Sequence, residues 1–176
     1  MSTRHPREKP KATASKNESA FAQAVKAAGL TVEAGKGAVE SRYRGHVASK
    51  LSNTQFTGSL NMDEAFRTAE GQTHRWDYGL GVRLPAKNEM AVWVEPHPAS
   101  SNGEVKVVLA KLDWLKSKLR LAAFEPLKVL TDECVAQGVR PYRWMASGHV
   151  GIRPGSREAN LLARAGMDLP SQQVVI

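Results

Sequence analysis

The chain has 176 residues, of which 41% are hydrophobic and 24% are charged, and its formal net charge is +8. This size and composition are typical of one globular domain and exclude a chain that depends on disulfides or structural metals to fold. The single cysteine, Cys134, cannot form an internal disulfide and indicates a reducing cytoplasm. No apolar stretch approaches the roughly 20 residues that cross a bilayer, so we expect a cytoplasmic protein that does not bind a membrane.

The N-terminal residues 1–16 carry five lysine and arginine residues against Glu8 alone, so half of the net charge lies on this segment. The segment is rich in proline and lacks large apolar residues, a composition that predicts a disordered basic tail. No apolar region follows its charges, so we do not expect a secretory signal. Such a tail can hold nucleic-acid phosphates loosely or can simply keep the protein soluble, and its composition leaves both interpretations open.

A short helix over 17–28 follows the tail, with Asn17 or Ser15 as its cap and an apolar face of alanine, phenylalanine and valine. The glycine-rich residues 30–38 read as a linker or hinge. We therefore expect residues 17–38 to form an N-terminal helix and linker, and residues 39–176 to form a single α/β domain.

Two further helices are predicted before the first strand. Apolar residues that recur every four positions predict a helix near 39–51. Asn61 and Glu64 form a capping-box pattern, which predicts a helix over 62–69. Asp63 and Glu64 suit the first turn of this helix because its dipole favours negative charge there, although a catalytic role is the alternative.

A β-hairpin is predicted next, because residues 75–84 and 90–97 are rich in aromatic and β-branched residues and a four-residue turn, Pro85 to Asn88, lies between them. The second segment is apolar on both faces until Glu95, which favours a central strand that is covered on both sides. Pro96 lacks the amide hydrogen that a strand inside a sheet donates, which indicates instead that the strand ends there or lies at an edge.

The longest predicted helix covers residues 103–121 and has one broad apolar face. A second stripe of basic and aromatic residues either packs against a third layer or binds a partner. That partner would be nucleic acid, another protein or a second copy of the chain. The candidate nucleic-acid contacts are Lys111, Trp114, Lys118, Arg75 and Lys106.

The remaining patterns predict a helix over 127–137, a strand or hairpin over 141–152, a helix over 156–165 and a short final strand in SQQVVI. Helices and strands therefore alternate along the chain. This order predicts an α/β (α+β) fold in which a mixed central sheet is flanked by helices.

Asp77, Glu95 and His97 are the candidate catalytic residues. Asp77 lies early in its predicted strand and Glu95 lies at the end of the next, so pairing of the strands would bring the two carboxylates together. Glu95 and His97 are two residues apart and face the same way in an extended strand. Two carboxylates supply the hard oxygen ligands that Mg²⁺ or Mn²⁺ takes, and His97 could position or deprotonate a water molecule.

These motifs resemble the PD-(D/E)XK nuclease superfamily. Members carry an acid on one central strand, and then an acid, any residue and usually lysine on the next strand. Trp76-Asp77 corresponds to the first motif and Glu95-Pro96-His97 to the second, with His97 in the place of the lysine. The resemblance implies metal-dependent cleavage of a DNA or RNA phosphodiester, with Asp77 and Glu95 as the Mg²⁺ or Mn²⁺ ligands. Glu40 is the residue we match to the further acid that the family carries on its first helix.

The resemblance covers roughly residues 39–152 and also implies a fold. The family core consists of a helix, three strands, a helix and a fourth strand. The predicted helix over 103–121 falls where the crossover helix of that core belongs, and residues 142–152 would form the fourth strand. A restriction-endonuclease-like core is therefore the expectation.

The alternative is a non-catalytic α/β module that binds a protein or nucleic acid through the Trp114 face and the tail. Its acids would form structural ion pairs, and it could be a subunit of a larger complex. Asp77 could then bond Arg75 or a backbone amide, and Glu95 could pair with Lys106 or Arg83. The two interpretations predict different structures. Convergence of the two acids with His97 around solvent would favour the metal site, whereas saturation of Glu95 by arginine or lysine would contradict it.

Overall fold

The computed structural model describes residues 18–176, so the predicted tail over 1–16 and the predicted caps Asn17 and Ser15 lie outside the described part of the chain. The helices are α1 (Ala20–Ala27), α2 (Ser41–Arg44), α3 (Met62–Glu70), α4 (Gly103–Leu119), α5 (Glu125–Ala136) and α6 (Arg157–Arg164). The strands are β1 (Val47–Ala48), β2 (Gln55–Asn61), β3 (Tyr78–Arg83), β4 (Glu89–Ala99), β5 (Tyr142–Val150) and β6 (Val174–Val175). Within these residues, no helix is both long enough and apolar enough to cross a membrane.

The sheet has four strands in the order β2-β3-β4-β5. The first two pairs are antiparallel, whereas β4 and β5 are parallel because α4 and α5 cross over between them. β1 and β6 form a separate parallel pair. The predicted α/β class, with a mixed sheet flanked by helices, is confirmed.

Helices α3 to α6 lie within two residues of their predicted bounds, because each combines a cap or a breaker with an apolar face. Asn61 caps α3 by accepting a hydrogen bond from the Glu64 amide at 2.9 Å, as the capping-box pattern predicts. Ser156 caps α6 in the same way, through the Ala159 amide at 3.1 Å.

Helix α1 is joined firmly to the sheet. Ser19 caps it, and its buried Phe21 and Val25 are part of the same hydrophobic core as α4 and α5. The amides of Ala20 and Phe21 both donate to the buried Glu89 carboxylate at 3.0 Å, so the first residue of β4 also holds the N-terminus of α1. The helix that the sequence analysis set apart from the domain therefore packs into the domain core.

The predicted helix near 39–51 is wrong. The helix α2 has only four residues, and the chain then extends into β1, where the Val174 amide donates to the His46 carbonyl at 2.8 Å. Val47 and Val174 are both buried in register with each other. Pairing with a segment more than a hundred residues away therefore overrides the helical spacing of this stretch.

No strand is predicted from the sequence over the residues of β2. It contains Gly58 and Ser59, has a register shift between Phe56 and Gly58, and is buried only over its last few residues, so it lacks a clear alternating pattern. β2 pairs with β3, so the predicted hairpin of β3 and β4 is part of a three-stranded antiparallel unit in which β3 is the middle strand.

The strand β4 lies between β3 and β5, which confirms the predicted central strand and contradicts an end or edge at Pro96. The reason is the direction of the proline nitrogen. The amide of Trp93 donates towards β5, at 2.7 Å from the Pro141 carbonyl, so Pro96, three positions on, points its nitrogen towards β3. β3 begins at Tyr78, opposite Val94, so no residue of β3 lies opposite Pro96. The missing amide hydrogen of Pro96 therefore costs the sheet no hydrogen bond.

The two faces of the sheet bury different cores. Trp93 and Ala91 pack beneath α1, α4 and α5 on one face. Val92 and Val94 pack on the other face with the residues around α2, β1 and β6, including Val39. Glu95 and His97 continue the first of these faces along β4, which places them beneath α4.

Candidate functional site

The register of the hairpin brings Asp77 and Glu95 together. Tyr78 pairs with Val94, so the preceding Asp77 lies opposite Glu95. The Asp77 amide donates to Oε2 of Glu95 at 3.0 Å. The Glu95 side chain is fully buried, whereas that of Asp77 is 24% exposed. The two acids therefore form a site that opens to solvent on the Asp77 side.

Lys111 of α4 lies between the two acids. Its Nζ bonds Oε1 of Glu95 and lies 3.2 Å from Oδ1 of Asp77. The neighbouring Val108 and Leu112 on α4 are buried against the sheet, so Lys111 sits at the edge of the inward face and its ammonium reaches the acids. Both oxygens of Glu95 are bonded by the protein itself, one by the Asp77 amide and one by Lys111.

His97 extends the site along β4. Its Nδ1 lies 3.8 Å from Oε1 of Glu95, and its Nε2 lies 2.9 Å from Oε2 of Glu104 in the first turn of α4. The Trp144 indole donates to the His97 carbonyl at 2.9 Å, which fixes the backbone from the β5 side. We name these five side chains, Asp77, Lys111, Glu95, His97 and Glu104, the acid–lysine cluster.

Burial governs the electrostatics of this cluster. It raises the pKa of Glu95 well above the ordinary value, and the adjacent Asp77 raises it further, while Lys111 opposes both effects. Burial also raises the pKa of Asp77, again against the influence of Lys111. For Lys111 burial lowers the pKa, but Glu95 and Asp77 outweigh it and bring the pKa above the ordinary value. The ammonium is therefore the group that opposes protonation of the two acids.

The cluster contains three carboxyl groups, those of Asp77, Glu95 and Glu104, and one ammonium. Hard oxygen ligands from two strands converge on one point, and that point already holds a positive charge. Carboxylate oxygens are the ligands that Mg²⁺ and Mn²⁺ take. Within residues 18–176, however, no group of three or more His, Cys, Asp and Glu side chains is arranged to hold a metal ion.

No protein-family model matches this sequence, and no curated protein or solved structure matches it significantly.

The proposed nucleic-acid contacts on α4 have partners within the protein. The Trp114 indole and the Lys118 ammonium both bond the Glu70 carboxylate of α3. The Lys118 ammonium also lies 4.3 Å from the ring centroid of Phe66, and Trp114 packs edge-on against the same ring at 5.5 Å. This stripe of α4 thus packs against α3, which is the third-layer arrangement that the sequence analysis left open.

The remaining predicted residues are dispersed. Arg75 is buried and bonds Asp63 at 2.9 Å, whereas Lys106 is exposed on α4. Glu40 lies on the opposite side of the sheet beside Tyr78 and pairs with Arg42 at 2.7 Å, so it does not join the acid–lysine cluster. Lys106 and Arg83 are the partners expected for Glu95, but neither pairs with it. Arg83 pairs with Glu89 instead.

Sequence reasoning missed the position of Lys111 and the contact of Glu104 with His97. A signal for Lys111 exists in its spacing, because it lies three residues after Val108 and four before Leu115 on the apolar face of α4. A lysine so close to a buried face requires an acidic partner. Glu104 carries no comparable signal, since an acid in the first turn of a helix is ordinary.

Proposed function

We propose that this protein is a metal-dependent nuclease with a restriction-endonuclease-like core. One observation carries the proposal: two acids from adjacent strands, Asp77 and Glu95, meet a lysine at the end of a β-hairpin. The superfamily that the sequence resembles places a lysine beside its two acids, and here Lys111 supplies it from α4 instead of position 97. The elements α1, β2, β3, β4, α4 and β5 would form such a core, with α2, β1, α3 and α5 as additions to it and α1 outside the residues 39–152 that carry the resemblance.

Each residue of the cluster has a distinct role in this proposal. Asp77 and Glu95 would hold Mg²⁺ or Mn²⁺, which when bound supplies charge neutralisation and an activated water. Lys111 would contact a phosphate oxygen, because an ammonium beside the ligands stabilises the negative charge that develops there. His97, which Glu104 and the Trp144 indole hold in place, would orient the water.

The test is cleavage of plasmid DNA, single-stranded DNA and RNA with Mg²⁺ or Mn²⁺, and with EDTA in place of the metal. Asp77→Asn and Glu95→Gln remove one ligand charge each with little change of shape, and each should abolish cleavage. Asp113→Asn, an exposed acid on α4, is the matched control and should cleave as the wild type does. Cleavage that survives both ligand substitutions would falsify the assignment.

A second candidate is the non-catalytic binding module. The observation in its favour is that both oxygens of the buried Glu95 are already bonded, one by Lys111, which is the arrangement expected of a structural ion pair. Such a module would bind a protein or nucleic-acid partner without cleaving it. It predicts no metal-dependent cleavage by the wild type, and unchanged partner binding by a folded Glu95→Gln variant.

A further inference from the structure

Helix α3 is fixed beside Asp77. The amide of Met62, the first residue of the helix, donates to the Asp77 carbonyl at 2.7 Å. Asp63 follows directly, and Arg67 lies one helical turn further along the same face. The backbone contact therefore places Asp63 and Arg67 at the border of the acid–lysine cluster.

The Asp63 carboxylate is shared by two guanidinium groups. Oδ1 accepts from Nε of Arg75 at 2.9 Å, and Oδ2 accepts from Arg67 at 2.6 Å. Partial burial raises the pKa of Asp63, but the hydrogen bonds from Arg67 and Arg75 outweigh it and bring the pKa below the ordinary value. One carboxylate against two guanidinium groups leaves this network with an excess positive charge.

Arg75 and Arg67 differ in how many of their guanidinium donors are bonded within the protein. Arg75 is buried, and it also donates to the Gly71 carbonyl, so its guanidinium is committed to the fold. The Arg67 side chain is 65% exposed, and in residues 18–176 its one carboxylate partner is Asp63, reached through a single nitrogen. A guanidinium has five donors, so most of those of Arg67 remain free for a ligand.

Electrostatics connect Arg67 with the cluster. Burial raises the pKa of Asp77, and the carboxylate of Asp63 contributes to that rise. The hydrogen bond and charge of Asp63 raise the pKa of Arg67, with a smaller contribution from Asp77. Lys111 is mostly buried, whereas Arg67 is an exposed cation on the helix whose first amide bonds the Asp77 carbonyl.

We propose that Arg67 binds a backbone phosphate of a nucleic-acid strand, next to the phosphate that enters the acid–lysine cluster. The proposal rests on the proposed function for its substrate class. Guanidinium groups bind phosphate oxygens in pairs through their planar fork, and the free donors of Arg67 provide such a fork. Asp63 holds the side chain beside the site before the strand arrives, which reduces the entropy lost on binding.

The experiment measures binding without cleavage. A fluorescently labelled DNA strand, alone and as a duplex, is titrated with protein in EDTA while anisotropy is followed at several salt concentrations. Arg67→Ala should weaken binding about tenfold and lower the slope of log affinity against log salt by about one, whereas Arg67→Lys should recover part of the affinity.

Arg42→Ala is the matched control. Arg42 is 68% exposed and pairs with a carboxylate at 2.7 Å, like Arg67, but it lies on the other side of the sheet. Its affinity should stay within about twofold of the wild type, because one remote charge contributes little at ordinary salt. Equal losses for Arg67→Ala and Arg42→Ala, wild-type affinity for Arg67→Ala, or a wild-type protein that binds neither probe would overturn the proposal.

The two proposals fail separately. If the wild type binds DNA through Arg67 but never cleaves it with Mg²⁺ or Mn²⁺, the phosphate site stands and the nuclease assignment fails. If the wild type cleaves and Arg67→Ala binds and cleaves equally well, the nuclease assignment stands and the role of Arg67 fails. Melting temperatures within about 2 °C of the wild type would show that the variants are folded, since surface substitutions have small effects.

Discussion

Lys111→Met is the substitution that most directly tests the acid–lysine cluster. Methionine keeps most of the length of the lysine stem and removes the ammonium. Glu95 is fully buried, and Lys111 is the cation bonded to it, so the variant leaves a carboxylate without compensation in the core. Breaking a buried ion pair by removing one partner costs about 3–5 kcal/mol. For a domain of this size, such a loss lowers the melting temperature by roughly 10 °C.

The loss should depend on pH. Burial and Asp77 already raise the pKa of Glu95, and removal of the opposing ammonium raises it further. The folded variant then binds a proton at Glu95 at pH values where the unfolded chain does not, so its free energy of unfolding falls as the pH rises above the ordinary carboxyl range. We therefore expect a larger difference from the wild type at about pH 8 than at about pH 5, where Glu95 is closer to neutral.

Thermal unfolding followed by circular dichroism at the two pH values measures both effects. Lys128→Met is the control, because Lys128 also pairs with a carboxylate, Asp132 at 2.7 Å, but the pair is exposed and should contribute no measurable stability. Glu95→Gln combined with Lys111→Met should recover much of the loss, since the buried charge is then absent. If Lys111→Met melts like the control at both pH values, the account of Lys111 as the compensating charge is refuted.

Two further substitutions and one labelling experiment test how the fold is supported. Glu89→Gln should lower the free energy of unfolding by about 1.5–3 kcal/mol in urea titrations. The Glu89 carboxylate accepts from two helix amides at 3.0 Å, and the substitution replaces one of its two acceptor oxygens with an NH2 donor. Gly81→Ala should cost about 1–3 kcal/mol, since its Cβ would lie 2.5 Å from that of Phe21, whereas Gly45→Ala has open space and should be neutral. Burial raises the pKa of Cys134 to about 12, so a thiol reagent should label it only after unfolding; rapid labelling of the folded protein would contradict its burial.

The parts of the fold that the sequence predicts are those with local signals. α4 has a wide apolar face, α3 has a capping box, and the hairpin of β3 and β4 has alternating residues around a short turn. The helix predicted near 39–51 is wrong because pairing with β6, far away in the chain, decides the conformation of this stretch. No periodicity within the stretch contains that information.

The candidate site also has one part that the sequence predicts and one part that it does not. The approach of Asp77 to Glu95 follows from the pairing of β3 with β4, which the sequence predicts as a hairpin without its register. The third member, Lys111, depends on the angle at which α4 crosses the sheet, and this is a property of packing. The sequence identified Lys111 as a phosphate contact on an outward stripe, whereas the structure turns its ammonium towards the acids.

The energetic cost of the cluster bears on whether it is structural or functional. A buried ion pair is weak evidence for stability, since apolar residues of similar size often stabilise a protein at least as well. Asp77 and Lys111 are also partly exposed beside the buried Glu95. Burial raises the pKa of both acids, and perturbed pKa values are common at functional sites. If the double variant Glu95→Gln with Lys111→Met is as stable as the wild type but inactive, the charges are retained for chemistry; if it is stable and the wild type cleaves nothing, they serve binding or packing alone.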